Sequence, residues 1–212
     1  MTAPRLSHEA KLRKVLHELK VDSLPDTAPH KQQLLALVAA YLDVFAECDS
    51  DVGTTNLAFH EIDTGDVRPL CQPVRRIPYG EMRAAVESEI DKLVSANIAR
   101  PSTSPRASLV VMIRKKYGGW RMCVDYRRLN SVTKFDSFPL PRLDEALDEF
   151  AGATVFSRLD LAKVYHQVPV KPSDVEMTAF ITHVGLFEMQ KMPFGLCNAP
   201  STYQRLMAGL LQ

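Results

Sequence analysis

The sequence predicts an α+β fold. Apolar residues recur at helical spacing in five separate stretches, and short β-rich runs lie between them without the regular strand–helix–strand alternation of a parallel α/β sheet. Length agrees with this. A chain of 212 residues, 46% hydrophobic and 24% charged, can bury one or two cores.

Ser7 is placed to cap a short helix whose Leu12, Val15, Leu16 and Leu19 fall on one face. Residues 22–29, with two prolines, read as a connection to a second helix from Pro29 to Ala46. That helix carries a stripe of Leu34, Leu35, Val38, Leu42 and Phe45, and the two helices can pack as a hairpin. Residues 47–79 read as extended and irregular. From Tyr79 to Ala96 the helical pattern returns through Met82, Val86, Ile90 and Leu93, with Asn97 as the stop. Pro101–Ser108 is loop chemistry. Leu109–Arg114 and Trp120–Asp125 form a predicted hairpin turning through Lys116-Tyr-Gly-Gly119, because glycine accepts positive φ. Pro141 opens a helix with Leu143, Leu147 and Phe150 expected inward, closed by Gly152. Val155–Leu161 reads as a buried strand. Met177–Thr182 and Leu186–Met192 pair around Gly185, and a last helix starts near Pro200 with Tyr203, Leu206, Met207 and Leu210 on one face. There are no repeats or low-complexity tracts.

A net charge of +1 hides an asymmetry. Residues 1–66 hold 6 Lys+Arg against 11 Asp+Glu, and residues 67–212 hold 20 against 14. Between Arg100 and Arg142 ten basic residues face only two acidic ones, Asp125 and Asp136. Such a run suits a polyanion, because neutralised phosphates release counterions, but it is equally compatible with a solvated basic face. No run of eighteen apolar residues marks a membrane span, and Met1–Lys20 lacks an apolar signal core, so a cytoplasmic location is expected. Cys48, Cys71, Cys123 and Cys197 form no CxxC pair, which points to reduced thiols and away from a zinc site. Asp63-Thr-Gly65 has the letters of an aspartic-protease triplet, but with charge on both sides it reads as a polar turn.

Several groups can carry chemistry. Asp160 follows the apolar Phe156-Ser-Arg-Leu159 and offers a carboxylate where a strand end is expected; a turn-capping aspartate is the ordinary alternative. Lys115 and Arg121 flank the hairpin tip, where two cations can clamp a triphosphate or simply be solvated. Arg127 and Arg128 can reach phosphates, and Arg127 can also pair with Asp125. Phe194-Gly195 allows close approach of backbone to a ligand.

The ordered strings Trp120–Asn130, Phe156–Val168, Thr178-Ala-Phe and Met192–Gln204 together resemble the fingers and upper palm of reverse transcriptases from gypsy-class LTR retrotransposons, relatives of the retroviral enzymes. The resemblance implies fingers with an incomplete palm over residues 60–212, after a connector of two helices over residues 1–59. It implies RNA-directed DNA polymerase chemistry, in which two Mg2+ (or Mn2+) ions run nucleotidyl transfer in the complete enzyme. Asp160 matches the first catalytic aspartate and metal ligand, joined by the backbone carbonyl of Leu161. Lys115, Arg121, Tyr165, Phe194 and Gly195 match positions around the incoming nucleotide. Arg127, Arg128, Asn130 and Gln204 match positions on the nucleic-acid side. Val164 departs from the family, which keeps a small residue there. The implied partners are an RNA or DNA template with primer, deoxynucleoside triphosphates and the rest of a Pol polyprotein, with no membrane. The two-aspartate turn of such polymerases does not occur before Gln212, so this chain alone is expected to be inactive. The alternative is a domesticated or decayed remnant that binds nucleic acid without catalysis.

Overall fold

A computed structural model describes residues 6–21, 24–25, 30–48, 51–154, 156 and 158–211, with the backbone alone for Ala146. The chain divides into two compact units, Met1–Val52 and Gly53–Gln212.

In the first unit, α1 (His8–Glu18) begins where expected, with Ser7 Oγ accepting from the Ala10 amide at 3.3 Å. The second helix, α2 (Lys31–Ala40), is shorter than the apolar stripe suggests. Its predicted start at Pro29 lies outside the described residues, and the stripe continues as a 3₁₀ turn, Leu42–Val44. Val15, Val38 and Leu42 form the core of this unit, with Leu12, Leu16, Leu34 and Phe45 around them.

The second unit is built on a mixed five-stranded sheet. Its strands are β1 (Ala99–Pro101), β2 (Ser108–Arg114), β3 (Trp120–Asp125), β4 (Phe180–Thr182) and β5 (Gly185–Met189), in the order β1-β5-β4-β2-β3. All neighbours are antiparallel except β2 and β4. Helix α3 (Glu81–Ser95) lays Val86, Ile90 and Leu93 on Val110, Phe180 and Met189, and it stops at Asn97, whose φ is +52°. A second core gathers Ile62, Tyr126, Val168, Met192 and Leu196 with Leu129 of the short helix α4 (Arg127–Asn130) and Ala199 of α6 (Ala199–Leu211). The helix α5 (Leu143–Asp148) stands between the two halves of the sequence motif set.

Three sequence expectations are corrected. Ala99–Pro101 is a strand, which pairs with Phe187–Met189 at the edge of the sheet; its three residues are too few to show a period. The apolar face of α5 does not point inward: Leu143, Leu147 and Phe150 are 78%, 59% and 54% exposed. The described residues of the stretch 155–161 form no buried strand. Phe156 and residues 158–161 are exposed and carry no strand, while Val155 and Ser157 lie outside the described residues. The reason is common to the last two. Apolar, β-branched composition reports a fit to a packed surface, and among the described residues no strand pairs with this stretch. No helix among the described residues is long and apolar enough to cross a membrane, and Cys71, Cys123 and Cys197 are free thiols.

Candidate functional site

The centre of the site is the bend that follows β5. Met192 and Leu196 are buried and anchor it, while Phe194 between them is 58% exposed. Gly195 has φ +95°, a region that side-chain-bearing residues rarely adopt, and a Cβ there would sit 3.6 Å from the Val124 carbonyl oxygen. The bend therefore lies in ordinary packing contact with the end of β3. Asn130 fixes it from α4: its Nδ2 donates to the Gly195 carbonyl at 2.8 Å, and its Oδ1 accepts from the Cys197 amide at 3.0 Å. Asn198 performs the same service on the other side, accepting from the Asp136 amide at 3.0 Å and donating to the Lys134 carbonyl at 2.8 Å. Arg205 of α6 closes this layer with both Asp136 oxygens, at 2.9 and 2.8 Å, and holds that carboxyl below its usual range.

Tyr165 belongs to a 3₁₀ turn, Val164–Gln167, entered through Lys163 at φ +42°. Its ring lies 4.9 Å from Phe194 and 6.1 Å from Tyr203, centroid to centroid. His166 meets the edge of Phe194 at 5.8 Å; burial, then Lys163, lowers its pKa to about 4, so it is neutral at pH 7. Tyr165, Phe194, Gly195 and Asn130 thus form one cluster at the base of the β2–β3 hairpin.

The hairpin carries its cations at the other end. Gly118 and Gly119 turn the chain at φ +89° and +79°, and the Lys115 amide donates to the Gly119 carbonyl at 3.1 Å. Register pairs Ile113 with Arg121, so pleat alternation sets Arg121 and Lys115 on the face away from Val110, Met112, Met122 and Val124. Arg121 lies three residues from Val124, or about 10 Å along the strand from the Gly195 bend.

Other predicted residues fall as follows. Arg127 is committed to Asp125 through Nε–Oδ1 at 2.8 Å and Nη2–Oδ2 at 2.6 Å, which depresses the Asp125 pKa to about 2. Arg128 is exposed, with no side-chain hydrogen bond or ion pair among the described residues. Gln204 is half-buried on α6. Asp160 and Leu161 are exposed on the segment before Tyr165, and among the described residues the Asp160 carboxylate makes no hydrogen bond or ion pair. No group of three His, Cys, Asp or Glu side chains among the described residues could hold a metal. Asp63-Thr-Gly65 is the polar turn its flanks indicate: Asp63 accepts from the Gly65 amide at 2.9 Å and pairs with Lys134 at 2.7 Å. A groove of about 390 Å³ lies elsewhere, lined by Leu57, Phe59, Thr202, Arg205, Leu206 and Leu210, and contains none of the predicted nucleotide residues. The scaffold roles of Asn198 and Asp136 were not visible in the sequence, because their partners lie more than sixty residues apart.

Comparison with known proteins gives concordant results. Residues 113–212 match the family described as reverse transcriptase (RNA-dependent DNA polymerase). The chain is 31% identical over 205 residues, 94% of its length, to the retrovirus-related Pol polyprotein from transposon 412 of Drosophila melanogaster, of which it covers 16%. It is 35% identical over 188 residues, 85% of its length, to the corresponding polyprotein from transposon opus of the same organism, of which it covers 18%. The structure of the foamy viral protease-reverse transcriptase in complex with RNA/DNA hybrid superposes with a TM-score of 0.79 at 20% identity, covering 100% of this chain and 28% of that one. The chain spans less than a fifth of the length of these polyproteins. With the fold and the motif spacing in agreement, the chain belongs to the reverse transcriptase family, as a reverse transcriptase domain of the kind found in retrotransposon Pol polyproteins.

Proposed function

We propose that this chain supplies the nucleotide- and template-side surface of an RNA-directed DNA polymerase. The observation that carries the reading is the Tyr165–Phe194–Gly195 cluster, clamped by Asn130 against the base of a hairpin whose tip bears Lys115 and Arg121. A flat exposed ring beside a glycine bend suits a sugar, which approaches backbone closely there. Lys115 and Arg121 suit a triphosphate, the guanidinium by its fork and the ammonium as a point charge. Arg127, Arg128 and Gln204 are proposed on the nucleic-acid side; Asn130 acts by holding the bend. A bound RNA/DNA hybrid in a foamy viral relative supports a primed template as the partner.

Polymerases of this family generally use divalent ions, and Asp160 with the Leu161 carbonyl is the proposed place for them. One carboxylate and one carbonyl do not by themselves fit two ions, since magnesium dehydrates reluctantly and requires near-octahedral oxygen ligands. The remaining acidic ligands are proposed to lie in the part of the relatives' length that this chain does not span. Deoxynucleotide incorporation on a primed RNA template is accordingly expected to be undetectable for the 212-residue chain; incorporation that Asp160→Asn abolishes would overturn this. Grafted in place of the matching segment of a transposon polyprotein, residues 53–212 are expected to support extension and to lose it with Asp160→Asn. The alternative, a nucleic-acid-binding module without catalysis, is favoured by Lys115 and Arg121, whose side chains make no ion pair among the described residues. It predicts salt-dependent hybrid binding and an inactive graft.

A further inference from the structure

Arg106 is the one side chain of the basic stretch whose charge is turned inward. Among the described residues its Nε and Nη1 are fully shielded from solvent and have no hydrogen-bond partner, and its Nη2 makes only a long 3.4 Å contact with the Val67 carbonyl. The backbone around it is held on both sides. The Arg106 amide donates to Ser104 Oγ at 3.1 Å, Ala107 donates to the Leu70 carbonyl at 3.0 Å, and Gln72 donates to the Ala107 carbonyl at 3.0 Å. A guanidinium does not deprotonate to escape burial, so two unpaired donor nitrogens call for an acceptor, and an anionic one is favoured over a neutral one.

Beside Arg106 lies a small crevice lined also by Gln72, Ser108, Arg128 and Met177. No acidic residue lines it, and neither Arg106 nor Arg128 has an ion pair among the described residues. Its inner volume, about 10 Å³, accepts one oxygen-sized group and no more. Two guanidinium-bearing residues and two neutral polar ones therefore surround room for a single oxygen.

We infer that this crevice is an oxyanion site that takes one oxygen of a phosphate group, with Arg106 as the buried donor and Arg128 at its rim. The phosphate belongs either to a nucleic-acid backbone or to free phosphate. The first source rests on the nucleic-acid reading above; the site itself does not.

The test uses the 212-residue chain with inorganic phosphate and with a single-stranded RNA oligonucleotide as separate probes. Titration with phosphate at constant ionic strength is expected to shift the Arg106 Nε–H resonance, assigned by its loss in Arg106→Lys, and to raise Tm in the wild type more than in Arg106→Met. For the oligonucleotide, the slope of log affinity against log salt is expected to fall in magnitude by about 0.7 in Arg106→Met, the loss of one single-strand phosphate contact. If Arg106→Met does not fold, Arg106→Lys, which keeps the charge and loses the fork, carries the comparison. A phosphate response with an unchanged slope assigns the site to free phosphate. A wild-type chain that fails to bind RNA at low salt removes the nucleic-acid reading and leaves the phosphate arm decisive. An unmoved Nε–H resonance together with an unchanged slope overturns the inference, leaving water as the acceptor.

Discussion

His60 shows how far one residue can report on the state of this protein. It is 1% exposed, its Nδ1 sits 2.9 Å from Thr202 Oγ1, and burial lowers its pKa to about 4, with Asp174, Asp136 and Glu61 acting weakly in the opposite sense. His166 is lowered to about 4 by the same cause. A histidine depressed in the folded state takes up its proton more readily when unfolded, so stability is complete above the ordinary value of 6.5 and declines as pH falls from there towards 4. Between pH 7 and pH 5 the loss is expected to be about 2 kcal/mol for each such histidine, from the linkage between proton uptake and unfolding. Urea unfolding at the two pH values measures it. In His60→Gln the ramp should shrink by about half; an unchanged ramp would show that His60 is not buried neutral. The carboxylates act lower on the scale, since Asp125 is held at about 2 by Arg127 and Asp136 is lowered by Arg205.

At the scale of the element, two helices with similar apolar stripes behave oppositely. In α3, Val86 is completely buried and Ile90 and Leu93 nearly so, whereas Leu143 and Leu147 of α5 stand in solvent. Val86→Ala is therefore expected to cost about 1–2 kcal/mol, the loss of buried methyl groups plus the space they leave. Leu143→Ser should change stability by less than about 0.5 kcal/mol, as is usual for exposed positions. Chemical denaturation of both variants checks the pair, and a large cost at Leu143 would refute the placement of α5. The element-level reading of the sequence succeeded where local signals suffice. Ser7 as a cap, the stop at Asn97 and the glycine turn at 118–119 all depend on residues within a few positions of each other. It failed at Val155–Leu161 and on α5 because an apolar period states what a segment can bury and not whether a partner is there.

For the whole molecule, the sheet with both of its cores falls inside Gly53–Gln212, and the helical pair has a separate core of Val15, Val38 and Leu42. A chain of residues 53–212 is accordingly expected to unfold cooperatively by itself, with a midpoint close to that of the larger transition of the full chain, by calorimetry. Loss of cooperativity would mean that the first unit completes the second. At this scale the sequence alone determined the family, the α+β class and the identity of the motif residues, because each motif is a run of neighbours whose spacing survives without coordinates. Tertiary structure decided what those residues, and others such as Arg106, contact. Asn130 spends its amide on the Gly195 bend, Arg127 is paired with Asp125, Asp160 stands exposed without a partner among the described residues, and Arg106 turns a charge inward beside Arg128. These outcomes rest on contacts between segments far apart in the chain, and a one-dimensional pattern carries no measure of the desolvation and pairing that such contacts impose.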